Sequence, residues 1–148
     1  MIILGIDPGK SGGYAVFADG KCVAVESFDP RAAISDLIRT KPDIAYLEQV
    51  HSMPAQGVHS VFTFGENFGW WQGVLQALEI PFERVTPQKW QKAMSCLSKG
   101  DKNVTKKRAA ELFPKIKVTH AIADALLIAE YGRRKGGGTD GLFNEEGR

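Results

Sequence analysis

The chain opens on Ile2-Ile3-Leu4-Gly5-Ile6-Asp7-Pro8-Gly9. A short apolar run rich in β-branched residues predicts a buried strand, and the Pro-Gly that follows predicts a turn. Between them stands a carboxylate. Taking a carboxylate out of water is expensive unless a partner or a metal compensates. The same conflict recurs at Asp43-Ile44-Ala45-Tyr46-Leu47-Glu48-Gln49, and Asp124 interrupts the helical pattern Ala121-Ile122-Ala123-Asp124-Ala125-Leu126-Leu127-Ile128-Ala129. Three carboxylates in apolar surroundings, far apart in sequence, point to one divalent-metal site in an enzyme.

The 148 residues suit one domain with a sizeable core, and 43% apolar content against 24% charged argues against general disorder. No run approaches the roughly 18 apolar residues of a membrane span. The first residues lack a secretory signal pattern, and Cys22 and Cys96 lack metal-ligand spacing. A cytoplasmic, reducing setting is therefore expected, with a single disulfide left open by the count. Net charge is +2, but between Arg84 and Lys117 ten Lys and Arg face only Asp101 and Glu111. That stretch carries +8 and the rest of the chain −6. A solvated lysine-rich face would show this, and so would a negative chemical site beside a phosphate-binding surface.

Along the chain, residues 2–7 read as strand one and 14–17 begin strand two. Asp19-Gly20 has hairpin chemistry, and 22–28 follow as strand three. Asp29-Pro30 offers an N-cap and a first-turn proline for a helix to about Arg39, with Ile34, Leu37 and Ile38 as its apolar face. Residues 44–49 read as strand four, returned beside the meander by that helix. The stretch 53–65 is ambiguous. A long helix is expected from about Ser60 or Gly65 to Leu78, with Gly65, Gly69 and Gly73 recurring every fourth residue. Such spacing suits either a dimer seam or a helix laid tightly on its own sheet. Residues 81–85 form a fifth strand, and Thr86-Pro87 cap a short helix. Residues 97–103 read as a loop, 105–113 as a helix, and the last helix opens at Thr119 or His120. Residues 1–135 thus form a single α/β domain with a five-stranded mixed sheet, and the glycine-rich 136–148 a flexible tail.

Asp7 is expected at the C-terminal end of a central strand, where α/β sheets open ligand crevices. Glu48 lies near the end of a neighbouring strand, and His120 stands one helical turn before Asp124 on the same face. Oxygen donors of this kind suit Mg²⁺, with Mn²⁺ as a substitute. Each residue also has a plainer reading. Asp7 would accept hydrogen bonds from its turn, Glu48 would end an edge strand, and His120 would start a helix. Gly9-Lys10-Ser11-Gly12-Gly13 is superficially a phosphate loop, but a strand follows it and the Gly-Lys-Ser/Thr ending is absent. No nucleotide cofactor is expected, although Lys10 and the turn's N–H groups suit a nucleic-acid phosphate.

Ile-Leu-Gly-Ile-Asp-Pro-Gly at 3–9 resembles the opening of RuvC-type Holliday-junction resolvases of the ribonuclease H-like superfamily, in their phage or prophage versions. The likeness continues through Tyr46-Leu47-Glu48-Gln49, Ser60 to Gly73, Val85-Thr86-Pro87-Gln88-Lys89-Trp90 and 123–129. It implies a ribonuclease H-like fold and a catalytic, metal-binding set of Asp7, Glu48 and Asp124 holding two Mg²⁺. It also implies a homodimer that nicks opposed strands of a four-way DNA junction, in a bacterial or phage-infected cell. The family usually carries another acid three positions before the last aspartate. Here that residue is Ala121, and His120 is the nearest substitute. For DNA, the resemblance and the charge single out Lys10, Lys89, Lys92, Lys99, Lys102, Lys106, Lys107 and Arg108, with Phe64 or Phe68 as a wedge against an unstacked base. A less selective nuclease for branched DNA or RNA–DNA hybrids would use the same residues. An inactive DNA-binding structural protein would explain Ala121.

Overall fold

A computed structural model describes residues 1–49 and 57–136. Its elements run β1 (Ile2–Asp7), β2 (Gly13–Ala18), β3 (Lys21–Ser27), α1 (Pro30–Thr40), β4 (Ile44–Glu48), α2 (Val58–Ala77), β5 (Phe82–Val85), α3 (Pro87–Ala93), α4 (Lys102–Leu112) and α5 (His120–Gly136). The sheet has the order β3-β2-β1-β4-β5. Its first three strands form the expected antiparallel meander, while β4 pairs parallel with both β1 and β5. β1 is therefore the middle strand, and its apolar run covers both faces of the sheet.

Alternation along the strands divides the core. Leu4, Ile6, Tyr14, Val16, Ala45 and Leu47 face α1 and α2, meeting Ala33, Leu37, Trp71 and Leu75. Ile3, Ala15, Phe17 and Tyr46 turn the other way, toward α5. Gly5 belongs to that second set. A Cβ there would run into the backbone of Ala125 and Ala129, so the glycine lets α5 lie flush on β1. At the far end Gly132 makes the same concession to the Tyr46 ring. The two glycines fix the height and the register of α5 over the sheet.

Local chemistry sets most boundaries as the sequence predicts. Asp29 caps α1 by accepting from the N–H groups of Arg31 and Ala32 at 2.9 and 3.1 Å, and Thr86-Pro87 open α3. Three expectations need correction. The helix expected from 105 begins at Lys102, because Asp101 caps it through the Asn103 N–H at 3.0 Å. On α1, Ala33 and Leu37 are the buried pair, whereas Ile34 and Ile38 are exposed. The tightly laid version of α2 also fails, since a Cβ at Gly65, Gly69 or Gly73 would meet nothing within 4 Å. Asn67, Trp71 and Leu75 face the sheet instead, leaving the glycines on the outer side. α5 runs to Gly136, and the remainder of the expected tail and residues 50–56 lie outside the described residues. Both cysteines are free. No helix among the described residues is long and apolar enough to cross a membrane.

Candidate active site

Register brings the carboxylates together. Ile6 of β1 stands beside Leu47 of β4, so Asp7 and Glu48 end neighbouring parallel strands. Both belong to the α5 side of the sheet, Asp7 by its alternation with Ile3 and Gly5, Glu48 by its alternation with Tyr46. α5 runs antiparallel to β1. Its Ala121 carbonyl lies against Gly13, its Ala125 and Ala129 backbone against Gly5, and Gly132 against Ile3 and Tyr46. Asp124 is therefore carried over the C-terminal ends of the two central strands.

The electrostatics bear the mark of that convergence. Burial pushes the Asp7 carboxyl well above the usual carboxylate range, and the charges of Glu48 and Asp124 push it further. Burial raises Glu48 to about 7; the Trp90 indole opposes this by donating from Nε1 to Oε2 at 2.6 Å, and Asp124 adds to the rise. Asp124 is raised chiefly by burial, against the Thr105 hydroxyl, Lys102 and His120, which favour its ionised form. Three carboxylates thus share a poorly solvated place, and among the described residues no buried Lys, Arg or His balances them. Among the described residues, no three His, Cys, Asp or Glu side chains are drawn into a formed ligand set. The donor chemistry nevertheless fits a hard divalent cation, since all three principal groups are carboxylates whose mutual repulsion a cation would relieve.

Asp7 also lines a cleft of about 620 Å³. One wall is the 8–12 turn with Lys10, another is the start of α2 with His59, Thr63 and Phe64, and Lys102 at the head of α4 closes a third side. Asn67 fixes the turn to α2, its Oδ1 accepting from the Gly9 N–H at 2.6 Å. Gly12 is required for the turn to close, because a Cβ there would strike the Asp7 carbonyl. His120 is exposed at the first position of α5, near enough to Asp124 to act on it, and it does not line the cleft.

The basic residues divide by position. Lys10 and Lys102 border the cleft, while Lys89, Lys92, Lys99 and Lys107 are exposed and Lys106 is half-buried. Arg108 is tied down, donating from Nε to the Met94 carbonyl at 2.9 Å and pairing with Glu111 at 3.5 Å. Phe64 and Phe68 stack on each other with centroids 6.1 Å apart, and the Arg84 guanidinium lies over Phe68 at 5.7 Å. Sequence reasoning missed Trp90, Thr105 and Asn67 as partners of the site. Each is distant in sequence from the group it serves, although Asn67 and Trp90 both stand in stretches that carried the resemblance.

This combination defines a ribonuclease H-like fold with acidic residues at the ends of its central strands. Similarity to solved structures then gives the particular version of that fold. RuvC from Thermus thermophilus, determined with a Holliday junction substrate, superposes with a TM-score of 0.71 at 18% identity, covering 92% of this chain and 97% of that one. A second structure of Thermus thermophilus RuvC gives 0.69 at 20% identity, covering 92% and 97%. The Fowlpox virus resolvase, in complex with Holliday junction DNA, gives 0.56 at 18% identity, covering 90% of this chain and 99% of that one. The chain has the RuvC fold over nearly its whole length. No protein-family model and no curated protein sequence matches it.

Proposed function

We propose that the protein is a divalent-metal-dependent endonuclease that resolves four-way DNA junctions as a homodimer. The observation that carries this reading is the meeting of Asp7, Glu48 and Asp124, from two strands and a distant helix, beside a cleft bordered by Lys10 and Lys102. Asp7, Glu48 and Asp124 would hold Mg²⁺, or Mn²⁺ in its place, with His120 the nearest further donor. Two such ions would activate a water for attack on a phosphodiester and stabilise the departing 3′-oxygen. The chain's own part is to place the phosphate and to keep the carboxylates ready. Lys10 and Lys102 attract the backbone into the cleft, and the turn held by Asn67 keeps Lys10 beside Asp7. Trp90 and Thr105 hold two of the carboxylates by hydrogen bonds and favour their ionised forms. The stacked Phe64–Phe68 pair borders the same region, suited to a base that has lost its neighbour at the crossover.

The outer side of α2 supports the homodimer. Val58 is 88% exposed and Phe62 66%, and Gly65, Gly69 and Gly73 continue the same side with open space above them. Two copies of this helix can approach closely at the glycines and bury the apolar residues at the end. A two-fold axis there would give a symmetric substrate two active sites.

The test is cleavage of a mobile four-way junction with cut positions mapped on all strands. Wild-type protein with Mg²⁺ is expected to make paired nicks on opposed strands, and Asp7→Asn to bind the junction but leave it intact. Equal cleavage by Asp7→Asn removes Asp7 from the site. Equal cutting of flaps or RNA–DNA hybrids would select the less selective nuclease. Ala121, where the resemblance expects an acid, favours one further reading, an inactive DNA-binding structural protein. Junction binding without nicking in either Mg²⁺ or Mn²⁺ would establish it.

A further inference from the structure

A second, smaller cavity adjoins the cleft. It has a volume of about 280 Å³ and lies on the flank of α2 facing β3 and α1. Lys10 and Thr63 line both cavities, so the two are separated by no more than those side chains. Its walls are aromatic: Phe28 and Trp70 meet edge to face with centroids 5.1 Å apart, and Pro30 completes the apolar part. Glu66 and Asn67 supply the polar part. Both rings are anchored. Phe28 also packs against Trp71, and the Phe28 N–H donates to the Gly12 carbonyl at 2.9 Å. The wall is thereby tied directly to the turn that forms the catalytic cleft.

We propose that this cavity receives one nucleobase of the strand whose phosphate lies in the cleft, and that it prefers a base bearing an exocyclic amine. The inference rests on the endonuclease reading and adds a determinant of where that nuclease cuts. A backbone held between Lys10 and Asp7 has its neighbouring base within reach of the adjoining cavity. An unstacked base loses its aromatic contacts and regains them on Phe28 and Trp70. Glu66 is acceptor-only when ionised, so it favours the exocyclic amino groups of cytosine, adenine and guanine over thymine, which has none. The Asn67 carbonyl oxygen is already used by the Gly9 N–H, which leaves its amide N–H₂ as a donor. The cavity has room for one nucleobase, and Lys10 is the one cationic residue among its lining. A base fits it better than a phosphate does. At a junction crossover the continuity of stacking is broken, so turning out a base costs less there than within a duplex.

The experiment uses Asp7→Asn protein, which holds the junction without cutting it, and a four-way junction carrying 2-aminopurine at successive positions around the crossover. One position next to the cleft-bound phosphate is expected to change its fluorescence several-fold on saturation, and Trp70→Leu in the same background to remove that change. In the cleavage-competent protein, junctions differing only at that nucleotide are expected to be nicked in favour of the amino-bearing bases. Glu66→Gln, an exposed and conservative change, should flatten that preference by about tenfold. A bound junction with no Trp70-dependent position, or a base preference unchanged by Glu66→Gln, overturns the proposal and leaves the endonuclease reading standing. Failure of the junction to bind at all, read separately by fluorescence anisotropy, overturns both.

Discussion

Two carboxylates on α5 stand six residues apart in the same apolar pattern, and their surroundings are opposite. Glu130 is 7% exposed, yet Arg133 reaches both its oxygens at 2.7 and 2.6 Å and Arg134 adds a third contact at 3.1 Å. Those partners hold its carboxyl below the ordinary value of 4.5 despite burial. Burial raises the Asp124 carboxyl against the Thr105 hydroxyl, Lys102 and His120, and its own charge in turn pushes Asp7 and Glu48 up. One end of the helix uses a buried charge to hold itself to its last turn. The other end leaves its charge without such partners, and it is this imbalance that the proposed function assigns to a cation.

Exchanging the two amides breaks or upholds that contrast most directly. Asp124→Asn is expected to reduce Mg²⁺-dependent junction nicking by roughly a hundredfold or more while leaving the fold intact or slightly more stable. Glu130→Gln should leave nicking within a few-fold and cost stability, by about 1–3 kcal/mol given that both arginines are partly solvated. Nicking kinetics and thermal unfolding on the same two variants are the measurements. Equal loss of activity in both would make Asp124 a second structural acid.

Much of this contrast is legible along the chain. Arg133 and Arg134 follow Glu130 at three and four residues, the spacing of helical ion pairs, whereas Asp124 has no Lys or Arg at that spacing and only His120 four residues before it. Asp7 and Glu48 betray themselves in the same way, because a charge at the end of an apolar run is a local anomaly. The caps at Asp29 and Thr86 are equally local, and they set α1 and α3 where the sequence places them. What the sequence conceals is pairing across distance. Trp90 reaches Glu48 across 42 positions and Asn67 reaches Gly9 across 58, and neither has a local pattern that announces its partner. The rotation of α1 is hidden for a related reason. Ile34 and Ile38 fit an apolar stripe as well as Ala33 and Leu37 do, and only the space above the sheet selects the smaller pair.

The two ends of α5 also predict opposite responses to pH in the metal-free protein. Glu130 has a depressed carboxyl, so the folded state binds fewer protons there than the unfolded one; its contribution is complete above about 4.5 and is lost as pH falls through its lowered value. Glu48 is raised from 4.5 to about 7, so the folded state binds more protons in that interval and stability declines as pH rises through it. Unfolding followed against pH in chelator should therefore show a shallow maximum near the ordinary glutamate range. Glu48→Gln is expected to lessen the decline above it, which Asp7 and Asp124 share, by on the order of 1–3 kcal/mol, and Glu130→Gln to lessen the fall below it. Millimolar Mg²⁺ should restore stability at neutral pH in wild type and not in Glu48→Gln. A flat profile through pH 4.5–7 would mean that the carboxylates at the strand ends are better solvated than their burial implies.

The finest division lies within the site itself, between carboxylates with and without a donor. The Trp90 indole N–H stabilises the ionised form of Glu48, and an uncharged donor to a buried charge is worth about 1.5–3 kcal/mol. Trp90→Phe keeps an aromatic ring in the pocket that Met94, Val85 and Leu127 help to form, and removes only the donor. Protons then compete with the cation more strongly for Glu48. The acid limb of the nicking profile is expected to move to higher pH by roughly one unit, with activity at pH 7 reduced and largely recovered near pH 8.5. A loss of packing alone would lower activity equally at every pH, so the displacement of the limb, rather than the loss, identifies Trp90 as the residue that keeps Glu48 ionised.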